Sequence, residues 1–537
     1  MSGSARDLAA SDRAWRPKAN PWAIAIVVTI AAFMEILDTT IVNVSLPHIA
    51  GTVSASYDDA TWTLTSYLVA NGIVLPISGF IGRVLGRKRY FLICIAMFTV
   101  CSFLCGIANS LPELVIFRLL QGFFGGGLQP NQQSIILDTF EPSQRGKAFS
   151  VVSIAVIVAP VIGPTLGGWI TDTYTWRWIF LINVPIGIAA FFLNAALVED
   201  PPWVKRRQRG GGGPKVKVDY VGLGLIAMGL GSLQIMLDRG EDNDWFSSGF
   251  IRLFACLAAV GISGAIVWLS TTKNPIVSLK PFLNRNFAVG SVMIVGFGAI
   301  LYSSAVLLPQ LAQQRLGYTA LLAGLILSPG GLVIIALIPF VGRFLLPNVP
   351  TKYIIAFGFS SLGLSLMYAS TLTPTLDFWT LASMRAAQTF GLAFLFVPNS
   401  TISYSTLPRE LNSDASSLYV MLRNVSGSIG ISLSTAMITQ QTQKEQARLV
   451  EYMSPNYQPY NDTVAKIAHS VQSMGQTAAQ AHHTAVNMMF TQLGTQAAFK
   501  AYSDVFVYCA IAAFAVVPVT LLFQATKSGG KAAPAAH

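Results

Sequence analysis

The chain has 537 residues, of which 53% are hydrophobic and only 11% charged, with a formal net charge of +11. Soluble domains carry roughly 25% charged residues, so this composition excludes an ordinary soluble protein. The basic residues cluster in short loops between apolar runs, which argues against nucleic acid as the partner.

Apolar runs of about 20 residues recur along the whole chain, each able to cross a hydrocarbon core about 30 Å thick. The ten-residue alternating segments of a β-barrel are absent. The expected fold class is therefore an all-α polytopic membrane protein. Residues 1–21 are polar, lack a small-residue cleavage site and read as a cytoplasmic N-terminus. Six spans follow within 22–198: 22–46, 61–81, 90–108, 112–137, 148–172 and 177–198. Residues 199–218 are basic, Gly-rich and Pro-rich, and read as a flexible tether, a lipid-headgroup contact, or both. Residues 219–271 hold two further spans, 219–238 and 250–271. Residues 272–525 hold six more: 287–309, 319–342, 352–371, 378–405, 414–440 and 502–524. The segment 441–501 is a long loop whose Gln/Ala-rich flanks read as helices extending outward, and 526–537 is a short tail. Fourteen spans place both termini on one side. Most of the 35 Lys and Arg then fall on that side, in stretches such as "GRVLGRKRY" and "KRRQRGGGGPKVK", which makes it cytoplasmic. Cys94, Cys101, Cys105, Cys256 and Cys509 show no metal-ligand spacing and read as small core residues.

An internal repeat joins residues 117–150 to residues 384–417. Arg118 matches Arg385, Gln121 matches Gln388, Pro130-Asn131 matches Pro398-Asn399, and Pro142 matches Pro408. Eight spans separate the copies, so both have the same orientation. That is the parallel repeat of a transporter. Two six-helix halves account for twelve spans, and the pair in 219–271 lies between them.

Two acids interrupt the first span, in "FMEILDTTIVNVSLP". An acid at a span centre costs about 2.5–3.5 kcal/mol, against about 0.3–0.6 returned by each Leu, Ile, Val or Phe. Glu35 and Asp38 must therefore face protein or water, or be protonated. They are i, i+3 on one helix face. Asp38 and Arg118 lie at similar depths, so a neighbouring fourth span brings them within reach. The arrangement reads as proton coupling, with one carboxylate locked by Arg118 and the other free to titrate; the alternative is a static ion pair joining two helices.

Other polar and aromatic residues within spans are candidate cavity lining: Asn43, Gln121, Gln129, Asn131, Tyr302, Arg385, Gln388, Phe390, Phe394, Asn399 and Arg423. Gln129, Asn131, Gln132 and Gln133 read equally as residues wetted near a helix end, and the aromatics as packing. Arg385 has no matching acid in the ninth span, which leaves backbone carbonyls or an anionic substrate as its partner. Gly163, Pro164, Gly167 and Gly168 read as helix packing and bending residues.

"LDTTIVNVSLP", "GRVLGRKR", "RLLQG" and "VAPVIGPTLGGWI" together resemble the major facilitator superfamily, and within it the fourteen-span drug:proton antiporters. "WRWIFLINVPIG" and "GSLQIMLDRGEDNDWFSS" resemble the EmrB branch of that family. The resemblance implies a multi-pass inner-membrane exporter of hydrophobic toxic compounds. It implies a proton gradient in place of a cofactor, and a periplasmic adaptor (a membrane fusion protein) and an outer-membrane channel as partners. It also implies a conformational motif at Gly79, Gly86 and Arg87. Arg83 stands where the family motif usually carries an Asp that latches one half to the other, so the latch is altered or missing.

No G-x-x-x-x-G-K-[ST] occurs, which excludes a P-loop ATPase. A dedicated metabolite exporter or a proton symporter fits the same fold, since fold does not fix substrate. A membrane enzyme or sensor leaves the repeat unexplained.

Overall fold

The computed structural model describes residues 15–202, 218–454 and 456–524, and among them the structure is helical with no strand. Most of the expected tether, the first 14 residues and the tail lie outside the described residues. The chain begins with α1 (Pro21–Thr52), α2 (Trp62–Leu85) and α3 (Arg87–Ile107). They are followed by α4 (Leu111–Gly125), α5 (Leu128–Thr139), α6 (Arg145–Thr173) and α7 (Asn183–Leu197). We call these the N-terminal bundle. α8 (Tyr220–Arg239) and α9 (Gly249–Thr271) come next. The C-terminal bundle comprises α10 (Arg285–Leu316), α11 (Ser328–Phe340), α12 (Thr351–Ala369), α13 (Phe378–Ala393), α14 (Phe396–Ser403), α15 (Asn412–Val450), α16 (Gln458–Gln472) and α17 (Ala478–Val516).

Twelve helices among the described residues are long and apolar enough to cross a membrane. The expected fourth and thirteenth spans fall instead on α4–α5 and α15, helical segments that are more polar. α4–α5 and α13–α14 are both broken, and at matching positions of the repeat. Pro130 and Pro398 each sit at the third residue of the second piece. A proline there lacks an N–H and crowds the carbonyl four residues back, so the helix is interrupted at Gly126 and Phe394. The N-caps repeat as well. The Glu113 amide donates to the Ser110 hydroxyl at 3.5 Å and the Thr380 amide to the Asp377 carboxylate at 3.3 Å.

One boundary differs from expectation. α1 continues through Pro47 to Thr52, because Pro47 is exposed and its missing bond falls on a solvated face. α15 runs on to Val450 and α17 starts at Ala478, so both flanks of 441–501 are helical, and α16 fills part of the loop between them. We call this end of the molecule the hairpin end and the other the terminal end. The expectation that all five cysteines are core residues holds for three. Cys256 is exposed and Cys509 half-buried. Cys256 lies on α9, which packs mainly on α8 and leaves its other face open to lipid.

α8 and α9 cross closely because Gly229 and Gly261 meet. A Cβ on Gly229 would lie 2.7 Å from the Ile262 nitrogen, the small-residue contact typical of membrane helices. Gly86, with φ of +90°, makes the sharp join between α2 and α3.

Candidate functional site

α1, α2, α4 and α7 converge on Asp38, which has no exposed surface. Its Oδ2 accepts from Arg118 Nη1 at 2.5 Å. Its Oδ1 accepts from Asn183 Nδ2 at 2.8 Å and Gln121 Nε2 at 3.1 Å. Arg118 is held in turn by the Gln121 Oε1 at 2.8 Å and the Thr63 carbonyl at 3.2 Å, and its guanidinium lies 4.1 Å from the Tyr67 ring centre. The carboxylate thus has one cation and two neutral donors around it. The expected i, i+3 neighbour behaves differently. Glu35 Oε1 accepts from Asn71 Nδ2 at 3.0 Å and the Tyr67 hydroxyl at 3.2 Å, and Oε2 accepts from Gln129 Nε2. All three of these donors are neutral.

The amide of Gln129 has a second role. Its Oε1 accepts from Arg423 Nη2 of α15. A chain of two hydrogen bonds therefore runs from Glu35 in the N-terminal bundle to Arg423 in the C-terminal bundle. Arg423 lies 5.9 Å from the Phe396 ring centre, and Tyr302 packs on Gly427 one turn away.

Nearer the terminal end the bundles close on each other. Arg83 of α2 forms an ion pair with Asp414 at the start of α15. Ser78 and Ser417 hydroxyls meet at 2.9 Å, Arg145 donates to the Tyr404 carbonyl at 3.2 Å, and the Tyr404 hydroxyl donates to Gln133 at 3.1 Å. Gly79 lets this happen, since a Cβ there would lie 2.8 Å from the Ser413 carbonyl oxygen. Arg87 pairs with Asp138 inside the N-terminal bundle. Toward the hairpin end, Asn43, Pro47 and His48 of α1 are exposed.

Several expected cavity residues sit elsewhere. Gln121 is fully buried in the Asp38 cluster. Asn131 donates to the Gly127 carbonyl at 2.8 Å, within the α4–α5 break. Asn399 donates to the Gly290 carbonyl at 2.9 Å and the Tyr419 hydroxyl at 2.8 Å, tying α14 to α10 and α15. Phe390 and Phe394 cluster with Phe357 of α12, which is half exposed. Phe396 is the aromatic beside Arg423. Among the described residues Arg385 meets neither backbone carbonyl nor acid. It donates to Ser304 Oγ at 2.9 Å and Gln388 Oε1 at 3.3 Å, with its Nε and Nη2 and the Gln388 Nε2 buried and without hydrogen-bond partners. Gly163 and Gly167 bring α6 against Thr40 and Ile41 of α1, while Gly168 is buried and Pro164 half-buried within α6.

Tyr67, Asn71, Asn183, Asp138 and Asp414 were missed. Tyr67 and Asn71 are four apart on one face of α2, and that spacing was the available signal.

The model of the major facilitator superfamily matches residues 28–431. The chain belongs to the major facilitator superfamily. A relative within this superfamily, the multidrug export protein EmrB of Escherichia coli (strain K12), is 39% identical over 457 residues, covering 85% of this chain and 87% of its own. The fatty acid resistance protein FarB of Neisseria gonorrhoeae is 35% identical over 485 residues, covering 90% of this chain and 94% of its own. Among solved structures, the human organic anion transporter MFSD10 superposes with a TM-score of 0.56 at 13% identity, covering 92% of this chain and all of that one. At that identity the likeness concerns the superfamily fold alone.

Proposed function

We propose that the protein is a proton-coupled multidrug efflux transporter that exports hydrophobic toxic compounds by alternating access, using a proton gradient and no cofactor. It crosses the inner membrane fourteen times, as two six-helix halves plus the inserted α8–α9 pair, with both termini cytoplasmic. The observation that carries this reading is the Glu35–Gln129–Arg423 chain between the bundles. The 39% identity to a multidrug export protein supports the substrate class.

Asp38 is the locked carboxylate in this reading. Arg118, Gln121 and Asn183 hold it in place throughout the cycle. Glu35 is the carboxyl that titrates, since no cation touches it directly. A proton arriving from the hairpin side removes an acceptor from Gln129. Gln129 then releases Arg423, and the C-terminal bundle loses its central tie to α1. The Arg83–Asp414 contact opens, and the cavity turns to the cytoplasm. Drug enters, Glu35 gives its proton to cytoplasmic water, and the chain re-forms to drive the outward return. The hairpin end docks a periplasmic adaptor that leads to an outer-membrane channel.

Transport into inverted vesicles tests the reading. A hydrophobic dye should accumulate when the lumen is acidified and leave when the gradient collapses. A symporter gives the opposite direction, and a sensor or enzyme moves no dye.

A further inference from the structure

We propose that Asp238 is a second proton-binding carboxyl, set in a wedge that α8 forms between α2 and α15 at the hairpin end. Near the terminal end α2 and α15 touch directly, at Gly79 and Ser417. Toward the hairpin end α8 stands between them and grips both. On one side Gly231 faces Val69 and Ile73 of α2, and Arg239 donates to the Asp58 carbonyl at 2.9 Å with its guanidinium 5.1 Å from the Trp62 ring centre. On the other side Gln234 Nε2 donates to Ser428 Oγ at 3.2 Å, and Ser432 Oγ donates to the Leu237 carbonyl at 2.9 Å.

Asp238 sits at the centre of this grip with an incomplete set of partners. Its Oδ1 accepts from Gln234 Nε2 at 2.9 Å, the same N–H₂ that reaches Ser428. Its Oδ2 is closed off from solvent and, among the described residues, meets no donor at normal hydrogen-bond distance, with the Thr65 hydroxyl of α2 acting on the carboxyl only from longer range. The neighbouring Arg239 is turned to α2 and to Asp242, 3.5 Å away. Other titratable groups around this end are Asp58 and Asp59 before α2, Tyr67 on α2, Glu241 and Asp244 after α8, and Arg252 and Cys256 on α9; α15 has none between Asn424 and Gln443. A buried carboxylate oxygen without a donor is costly, and a proton is the simplest group that satisfies it.

The proton comes from water at the hairpin end, where Asp238 is the second-last residue of α8. Bound at Oδ2, it makes a hydroxyl that donates toward Thr65. The neutral carboxyl competes less for Gln234, whose N–H₂ then serves Ser428. Both changes tighten α8 on the two bundles. Protonation therefore fixes the wedge, and loss of the proton frees it.

The test uses the full-length protein in lipid with Glu35→Gln, so that its outcome is separate from the fate of the Glu35 reading. Infrared difference spectra across a pH change should show a protonated-carboxyl band that Asp238→Asn removes and Asp238→Glu keeps with a shifted midpoint. Spin labels at the exposed Asp59 and Gln440 should give a narrower distance distribution in acid, and Asp238→Asn should abolish that response. An infrared band or a distance response that persists unchanged in Asp238→Asn overturns the proposal. The Asp238→Glu protein covers the case in which the amide misfolds: absence of any titrating band in it overturns the proposal equally.

Discussion

Arg83 and Asp414 form an ion pair that joins α2 to α15, with the cation on the side where the family motif usually carries an acid. Asp414 lies in the first turn of α15, where a negative charge also complements the helix dipole. The two bundles are thus joined here by a charge pair of reversed polarity.

Reversing that polarity again is the direct test. Arg83→Asp alone should set two acids against each other and shift the protein roughly tenfold toward the state open at the terminal end, an effect of about 1.4 kcal/mol. Arg83→Asp with Asp414→Arg should recover most of the closed population. Full recovery is not expected, since an arginine in the first turn opposes the dipole by about 0.3–1 kcal/mol. Cross-linking across the terminal end reports the populations, and a double variant no better than the single one rules out the pairing.

Asp38→Asn should abolish dye accumulation while the protein still reaches the membrane, because the amide keeps the shape but leaves Arg118 without its counter-ion. Arg118→Ala strips the cation from a fully buried carboxylate, a loss of about 3–5 kcal/mol for a pair of this kind. It should lower the melting temperature as well as transport. Wild-type transport by either variant means that the pair is only structural.

Glu35→Gln should separate proton movement from substrate movement. Dye should still exchange down its gradient, but an imposed proton gradient should no longer drive accumulation. Arg423→Ala should share the second defect, because it removes the far end of the chain through Gln129. A Glu35→Gln protein that still concentrates dye would remove Glu35 from the cycle.

Gly163→Ala tests the approach of α1 to α6. The added methyl meets the Thr40 side chain, and overpacking of this kind costs about 1–3 kcal/mol. Thr40→Ala in the same protein should return most of that stability. Additive losses in thermal unfolding would show that the two positions do not touch.

Replacing residues 451–477 with a short Gly/Ser linker removes α16 and leaves the rods of α15 and α17. Transport by inverted vesicles should survive, while resistance of whole cells and pull-down of the adaptor should be lost. Adaptor binding without this segment would move the docking surface to the transmembrane helices.

The membrane helices were legible because a long apolar run has few alternatives in lipid. α4–α5 and α15 are more polar than the other spans, so the apolar-run argument is weakest there. Asp38 and Arg118 could be matched by depth, since helical rise converts sequence position into height. Gln129 and Arg423 could not be joined in this way. They lie 294 residues apart on opposite bundles, and depth says nothing about azimuth. For the same reason, position along α13 did not tell that Phe390 and Phe394 gather with Phe357 of the neighbouring helix. Asp414 is an acid in the first turn of a helix, a common position, and only its tertiary partner Arg83 distinguishes it.

α15 is a single unbroken helix of 39 residues. At 1.5 Å per residue it is about 58 Å long, nearly twice the thickness of the hydrocarbon core. Asp414, Arg423, Ser428 and Ser432 are spaced along its inner part, and its last turns carry the hairpin. A rod pivoting near its middle moves most at its tip. A tilt of the C-terminal bundle would therefore carry the hairpin in the direction opposite to the Arg83–Asp414 end. Any protein bound there would feel the pump's stroke as a mechanical displacement, without a separate signal.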